Sequence, residues 1–142
     1  MTTQQTEAWK RVRSAGTVNL VVGIITLIMA LIFILISIVL IVANFNIPSD
    51  DGGEPMPSWV LGGILLFFLL VFSLPIAIVD IVAGVKMRKP VPKPRGWVIY
   101  TVVVGALGAG SITGILQLIF GILALSSSHD LESSQVPAES SK

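Results

Sequence analysis

Three long stretches of this chain carry almost no charge, and that feature narrows its possible folds more than any other. Residues 18–43 form a 26-residue apolar block without an ionisable side chain. Residues 59–85 form a second block of 27 residues, with Asp80 as its one charge. Residues 97–125 form a third, of 29 residues, with none. About 20 apolar residues are enough for a helix to cross a hydrocarbon core of about 30 Å. Only 12% of the chain is charged, against about a quarter in soluble domains. A soluble domain and a disordered chain are both excluded. The expected fold class is all-α: an integral membrane helical bundle with three apolar spanning blocks, 18–43, 59–85 and 97–125, which together make up a transmembrane domain over 18–125.

The segments between the blocks have their own chemistry. Residues 1–17 are polar, with Lys10, Arg11 and Arg13. Trp9 fits a short interfacial helix ahead of the first span. Residues 44–58 hold three prolines around Asp50, Asp51, Gly52, Gly53 and Glu54, which predicts a turn-rich linker. Residues 86–96 carry five positive charges and Pro90, Pro92 and Pro94, the composition of a stiff, extended connector. Residues 126–142 contain seven serines with mixed charge and read as a disordered Ser-rich tail. The first block is too long for a signal-peptide core of about 7–15 residues, so an uncleaved span is expected. Pro75 should kink the second block, because its ring meets the carbonyl of Val71.

Lys and Arg concentrate on the cytoplasmic side of a membrane. The N-terminal flank has three, the 44–58 loop none and the 86–96 loop five. The N-terminus and the basic loop are therefore expected in the cytoplasm, and the acidic loop outside. Trp59 and Trp97 open the second and third blocks, at the headgroup level where such rings prefer to lie.

The third block admits two readings. As one helix it would reach about 43 Å, and as two helices about 20 Å each. The first is too long for the core and the second too short. The tail holds no cation before Lys142, which favours one interrupted crossing. Gly105, Gly108 and Gly110, followed by Ser111, favour a break and four helices. We expect the single crossing, glycine-broken.

Helices associate in lipid through small residues and through polar groups that bond across. Gly16, Gly23, Ala30 and Ser37 recur every seven residues, a period that stays on one face of a left-handed crossing. Ser73, Ala77, Asp80 and Gly84 form a stripe on the second block. Gly110, Gly114, Gln117, Gly121 and Ala124 form another on the third. Asp80 is the one ionisable group inside a span, and such a group is costly and faces protein or water. Asn19, Tyr100 and Thr101 should lie at a similar depth, and Gln117 lies on the facing stripe. Asp80, Asn19, Tyr100 and Gln117 are therefore the candidate intramembrane polar cluster.

No catalytic residue, cofactor-binding residue or metal ligand is assigned. Cysteine is absent, and His129 is the sole histidine. One intramembrane Asp does not supply a two-carboxylate mechanism. The chain is therefore read as non-enzymatic, with no nucleic-acid partner. Its expected partners are the lipid bilayer, a second copy or another membrane protein, and anionic headgroups near Lys86 to Arg95, at about 1 kcal/mol per charge near the surface.

The long first span, the acidic loop Asp50–Glu54, the Trp-initiated second span with its basic end at Trp59–Arg88, and the run Gly114–Leu125 resemble a group of small Gly/Ile-rich multi-span membrane proteins of Gram-positive bacteria, described as a domain of unknown function. The resemblance covers roughly residues 15–126. It implies a bacterial cell-membrane protein, four helices with a helical pair closing the chain, and no catalytic residues. Three functional expectations follow. The first is a protein acting through helix packing with itself or a membrane partner. The second is a small oligomeric transporter using Asp80 for proton or cation coupling. The third is an envelope-stress or immunity-type accessory protein.

Overall fold

The computed structural model describes residues 2–89 and 95–140, with side chains placed through Ser133. Helix α1 runs unbroken over Thr3–Ala43, so the polar N-terminal segment and the first apolar block form one 41-residue helix. Two short strands, β1 (Asn46–Ile47) and β2 (Met56–Pro57), follow. Helix α2 (Ser58–Phe68) passes through a π-helical turn, Leu69–Ser73, into α3 (Leu74–Arg88). Helix α4 spans Arg95–Leu107 and α5 spans Ile112–Ser140. Three helical stretches are long and apolar enough to cross a membrane: Thr3–Ala43, Ser58–Arg88 and Ile112–Ser133. Helix α4 is shorter.

Contacts divide the chain into two units, Gly23–Ile78 and Met1–Val22 with Val79–Lys142. In the first, the second half of α1 is joined to α2 by the acidic linker. Asn44 ends α1 with φ at 45°, the left-handed geometry that asparagine tolerates at a helix C-terminus. Strands β1 and β2 then pair antiparallel, Asn46 opposite Pro57 and Ile47 opposite Met56. The Ser58 hydroxyl accepts from the Phe45 amide at 3.0 Å and donates to the Leu40 carbonyl at 2.8 Å. It thus ties the start of α2 to the end of α1. Gly62 lets the two helices approach, since a Cβ there would lie 2.8 Å from the Ser37 carbonyl oxygen. Gly23, Ala30 and Ser37 are all buried. The distortion expected at Pro75 takes the form of the π-helical turn directly before it. An i→i+5 turn absorbs the amide that proline lacks and relieves the ring's clash.

The second unit holds the first half of α1, most of α3, and all of α4 and α5. Here the expected single crossing of the third block is corrected. The chain turns back over residues 108–111, and α4 and α5 pack as an antiparallel hairpin. Glycine makes the approach possible. A Cβ at Gly105 would meet the backbone of Leu118 and Gln117, one at Gly121 would lie 2.9 Å from the Val102 side chain, and one at Gly114 would collide with Gly108. Ser111 caps α5, its hydroxyl accepting from the Gly114 amide at 3.1 Å.

The disordered tail is the second correction, because α5 continues to Ser140. Serine is a poor helix former when it competes with the backbone, but here it bonds backward along the same helix. Ser126 and Ser127 donate to the Leu123 carbonyl, and Ser128 to that of Leu125. Leu131 then packs into one apolar cluster with Ala8, Val12, Ala15, Met87, Val98 and Ala124, against which Trp9 and Trp97 also pack. The basic connector is the third correction. Lys86 and Arg88 belong to the last turn of α3, where cations favour the helix C-terminus. Residues 90–94 of that connector lie outside the described residues.

Candidate functional site: a polar cluster within the four-helix unit

Asp80 is 2% exposed and sits on α3 among side chains from three other helices. The Tyr100 hydroxyl of α4 donates to Asp80 Oδ1 at 2.9 Å. The Gln117 amide of α5 donates to Asp80 Oδ2 at 3.2 Å and to Asn19 Oδ1 at 3.4 Å. Asn19 of α1 in turn donates to Thr101 Oγ1 at 2.6 Å, and Thr101 donates to the Trp97 carbonyl at 3.0 Å. Met87 Sδ lies 3.9 Å from the Asn19 amide and 3.7 Å from the Thr101 hydroxyl.

The donor directions form a consistent chain. A carboxylate only accepts, so Gln117 must present its NH2 group to Asp80. Its second N–H then finds the Asn19 oxygen, which turns the Asn19 NH2 toward Thr101. The single Thr101 hydrogen is left for the Trp97 carbonyl. Among the described residues, no buried side-chain nitrogen or oxygen lacks a partner. No cation comes within ion-pair distance of Asp80 among them. Its two oxygens are solvated by neutral donors from α4 and α5, and a low-dielectric surrounding strengthens each such bond.

The four residues named from the sequence as an intramembrane cluster thus lie in one hydrogen-bonded network. Thr101, named only for its depth, is an integral member. Met87 was missed. It continues the stripe Ser73, Ala77, Asp80, Gly84 by three more residues, so extending that spacing past the end of the apolar block would have found it.

The small residues divide differently. Gly16 packs on α3, where a Cβ would lie 2.8 Å from Met87 Cβ and 3.0 Å from the Gly84 carbonyl oxygen. Gly114 and Gly121 are used within the hairpin. Gly110 is corrected: it is exposed in the turn, with nothing within 4 Å of a Cβ placed there. It joins no helix face because the helix has already ended at Leu107. Lys86, Arg88, Lys89 and Arg95 are exposed, as contact with headgroups would require. No protein-family model, curated protein or solved structure matches this chain.

Proposed function

We propose that this chain is a non-enzymatic, multi-pass protein of the bacterial cell membrane that acts through helix packing with itself or with a membrane partner. The proposal extends the resemblance to the small Gly/Ile-rich proteins of Gram-positive bacteria. One observation carries it: the usual distribution of polarity is inverted. Asn19, Ser37, Asp80, Thr101 and Gln117 are buried, while large apolar side chains of α1, α2 and α3 such as Leu35, Val39, Phe67 and Ile78 are exposed. Water would penalise that surface, whereas acyl chains suit it. Reconstituted at low density and counted by single-molecule photobleaching, the chain is expected to form an oligomer, or to cross-link to one membrane partner in native membranes. A chain that is monomeric and uncross-linked in both settings overturns this reading.

The proposed orientation has the N-terminus and the basic segment at 86–96 in the cytoplasm and the loop at 44–58 outside. The chain has no cysteine, so single replacements at exposed serines give clean labels. With a membrane-impermeant thiol reagent, Ser49→Cys is expected to react in intact cells and Ser14→Cys only after lysis. The reverse pattern overturns the orientation.

A second reading is favoured by Asp80 itself. A buried carboxylate held by Tyr100 and Gln117, without a cation beside it among the described residues, is a candidate for proton or cation coupling. It predicts that proteoliposomes carry a proton or cation flux and that Asp80→Asn abolishes it. No flux from the native chain overturns this second reading and leaves the first standing.

A further inference from the structure

Resting on the membrane reading above, we infer that the α4–α5 hairpin enters one leaflet only, from the side of the N-terminus, and acts as a wedge that draws the protein to curved membrane. Helix α4 has 13 residues and reaches about 20 Å, against a hydrocarbon core of about 30 Å. The apolar run of α5 ends at Leu125, after which the chain turns polar. Leu125 lies only about 20 Å along α5 from Ile112, so a full crossing would leave the polar run from Ser126 to Asp130 in the far part of the hydrocarbon core of about 30 Å.

The tip is built for an apolar surrounding. Leu107 and Ile112 flank the turn and are 84% and 79% exposed. The turn pairs part of its backbone internally, which lowers the cost of taking it into a bilayer, where unpaired backbone groups are penalised. The Gly108 amide bonds the Val104 carbonyl at 2.9 Å, and the Ser111 amide bonds that of Gly108 at 2.9 Å. The Ser111 hydroxyl donates to the Gly108 carbonyl at 2.8 Å and accepts from the Gly114 amide at 3.1 Å. No charged residue lies between Gly96 and His129. The base of the hairpin has the opposite character, with Arg95 opening α4 and Trp97, like Trp9, packed against the apolar cluster. Lipid acyl chains of a single leaflet are the occupant this arrangement fits. Two helices, each about 10 Å across, then add area to that leaflet alone.

The test uses the full chain with single cysteines. Ser133→Cys, beyond the apolar part of α5, is expected to react with impermeant reagent only after lysis, while Ser49→Cys reacts in intact cells. Gly110→Cys, at a position open to a side chain, is labelled with an environment-sensitive fluorophore. Its emission is expected to be quenched most strongly by lipids bearing a nitroxide near the acyl-chain ends. In membrane tubes drawn from giant vesicles, the protein should be enriched several-fold when its N-terminal side faces the outer leaflet, and depleted in the opposite orientation. Labelling of Ser133→Cys in intact cells overturns the proposal, because α5 would then cross. Strong cross-linking between Gly110→Cys copies without lipid quenching also overturns it, since a second chain would cover the tip. Equal density on tube and vesicle in both orientations removes the wedge action. Failure of Ser49→Cys to react in intact cells is a failure of the underlying membrane orientation instead, and is read separately.

Discussion

Replacing Gly84 with leucine is expected to be the most damaging single substitution in the four-helix unit. A Cβ at Gly84 would lie 2.6 Å from the Leu20 amide nitrogen, 2.7 Å from the Gly16 carbonyl oxygen and 2.8 Å from Leu20 Cα. All three are backbone atoms, so no rotamer change relieves the clash and α1 must move away from α3. Such a shift would also disturb Asn19, one residue before Leu20. Overpacking a tight site costs about 1–3 kcal/mol and sometimes more, and this substitution should reach about 3 kcal/mol. Gly63→Leu is the matched control. Gly63 is exposed on α2, with nothing within 4 Å of its added Cβ. Removing an interior glycine there should leave stability unchanged or raise it by up to about 0.8 kcal/mol. Reversible unfolding in bicelles, followed by circular dichroism, measures both. Equal midpoints for Gly84→Leu and Gly63→Leu would show that α1 and α3 do not meet at Gly16 and Gly84.

Gln117→Leu should have the second-largest effect. The substitution keeps similar bulk but removes the donor to Asp80 Oδ2 and to Asn19 Oδ1. Among the described residues, the Tyr100 hydroxyl would be the one donor left to the Asp80 carboxylate. An unsatisfied buried polar group costs about 1–3 kcal/mol, and more when it is charged. A loss of about 2 kcal/mol is therefore expected. The double variant Asp80→Leu, Gln117→Leu removes the stranded acceptor as well. It should be less destabilised than the sum of its single variants, with a coupling of at least about 1 kcal/mol. Strict additivity in the same unfolding measurement would show that the two side chains do not share a bond.

The network also shows how far a sequence can point to a site without drawing it. Asp80 stands out because charge is costly in an apolar block, and Asn19, Tyr100 and Gln117 follow from depth and from the helical stripe. Their order along the donor chain was not legible, because it depends on which atom of each amide faces which neighbour. That is settled only when four helices bring Asp80, Gln117, Asn19 and Thr101 within bonding distance. Met87 escaped for a related reason. A thioether is only a weak acceptor, so the spacing puts Met87 on the stripe while its chemistry does not mark it as part of a polar cluster.

The third block carried a real ambiguity. Its length suits neither one helix nor two, and the scarcity of cations in the tail argued for the wrong alternative. Residues 108–111 turn because Gly105, Gly114 and Gly121 let the backbones of α4 and α5 come together, and because Ser111 caps the returning helix. Close packing of α4 on α5 thus decides what the charge of the flanks left open.

From the sequence alone came everything that depends on local composition: apolar blocks that must be helical, a proline that must disturb the second, a carboxylate that must be sheltered, and small-residue faces at Gly16, Gly23, Ala30 and Ser37. Only the tertiary structure decided what depends on partners distant along the chain. It turned the third block back on itself, left Gly110 outside the packing, and ordered the serine-rich segment by docking Leu131 on Ala8 and Val12. The physical reason is that hydrophobicity and backbone stereochemistry act within a few residues, whereas close approach at a glycine or a satisfied donor exists only between surfaces already brought together.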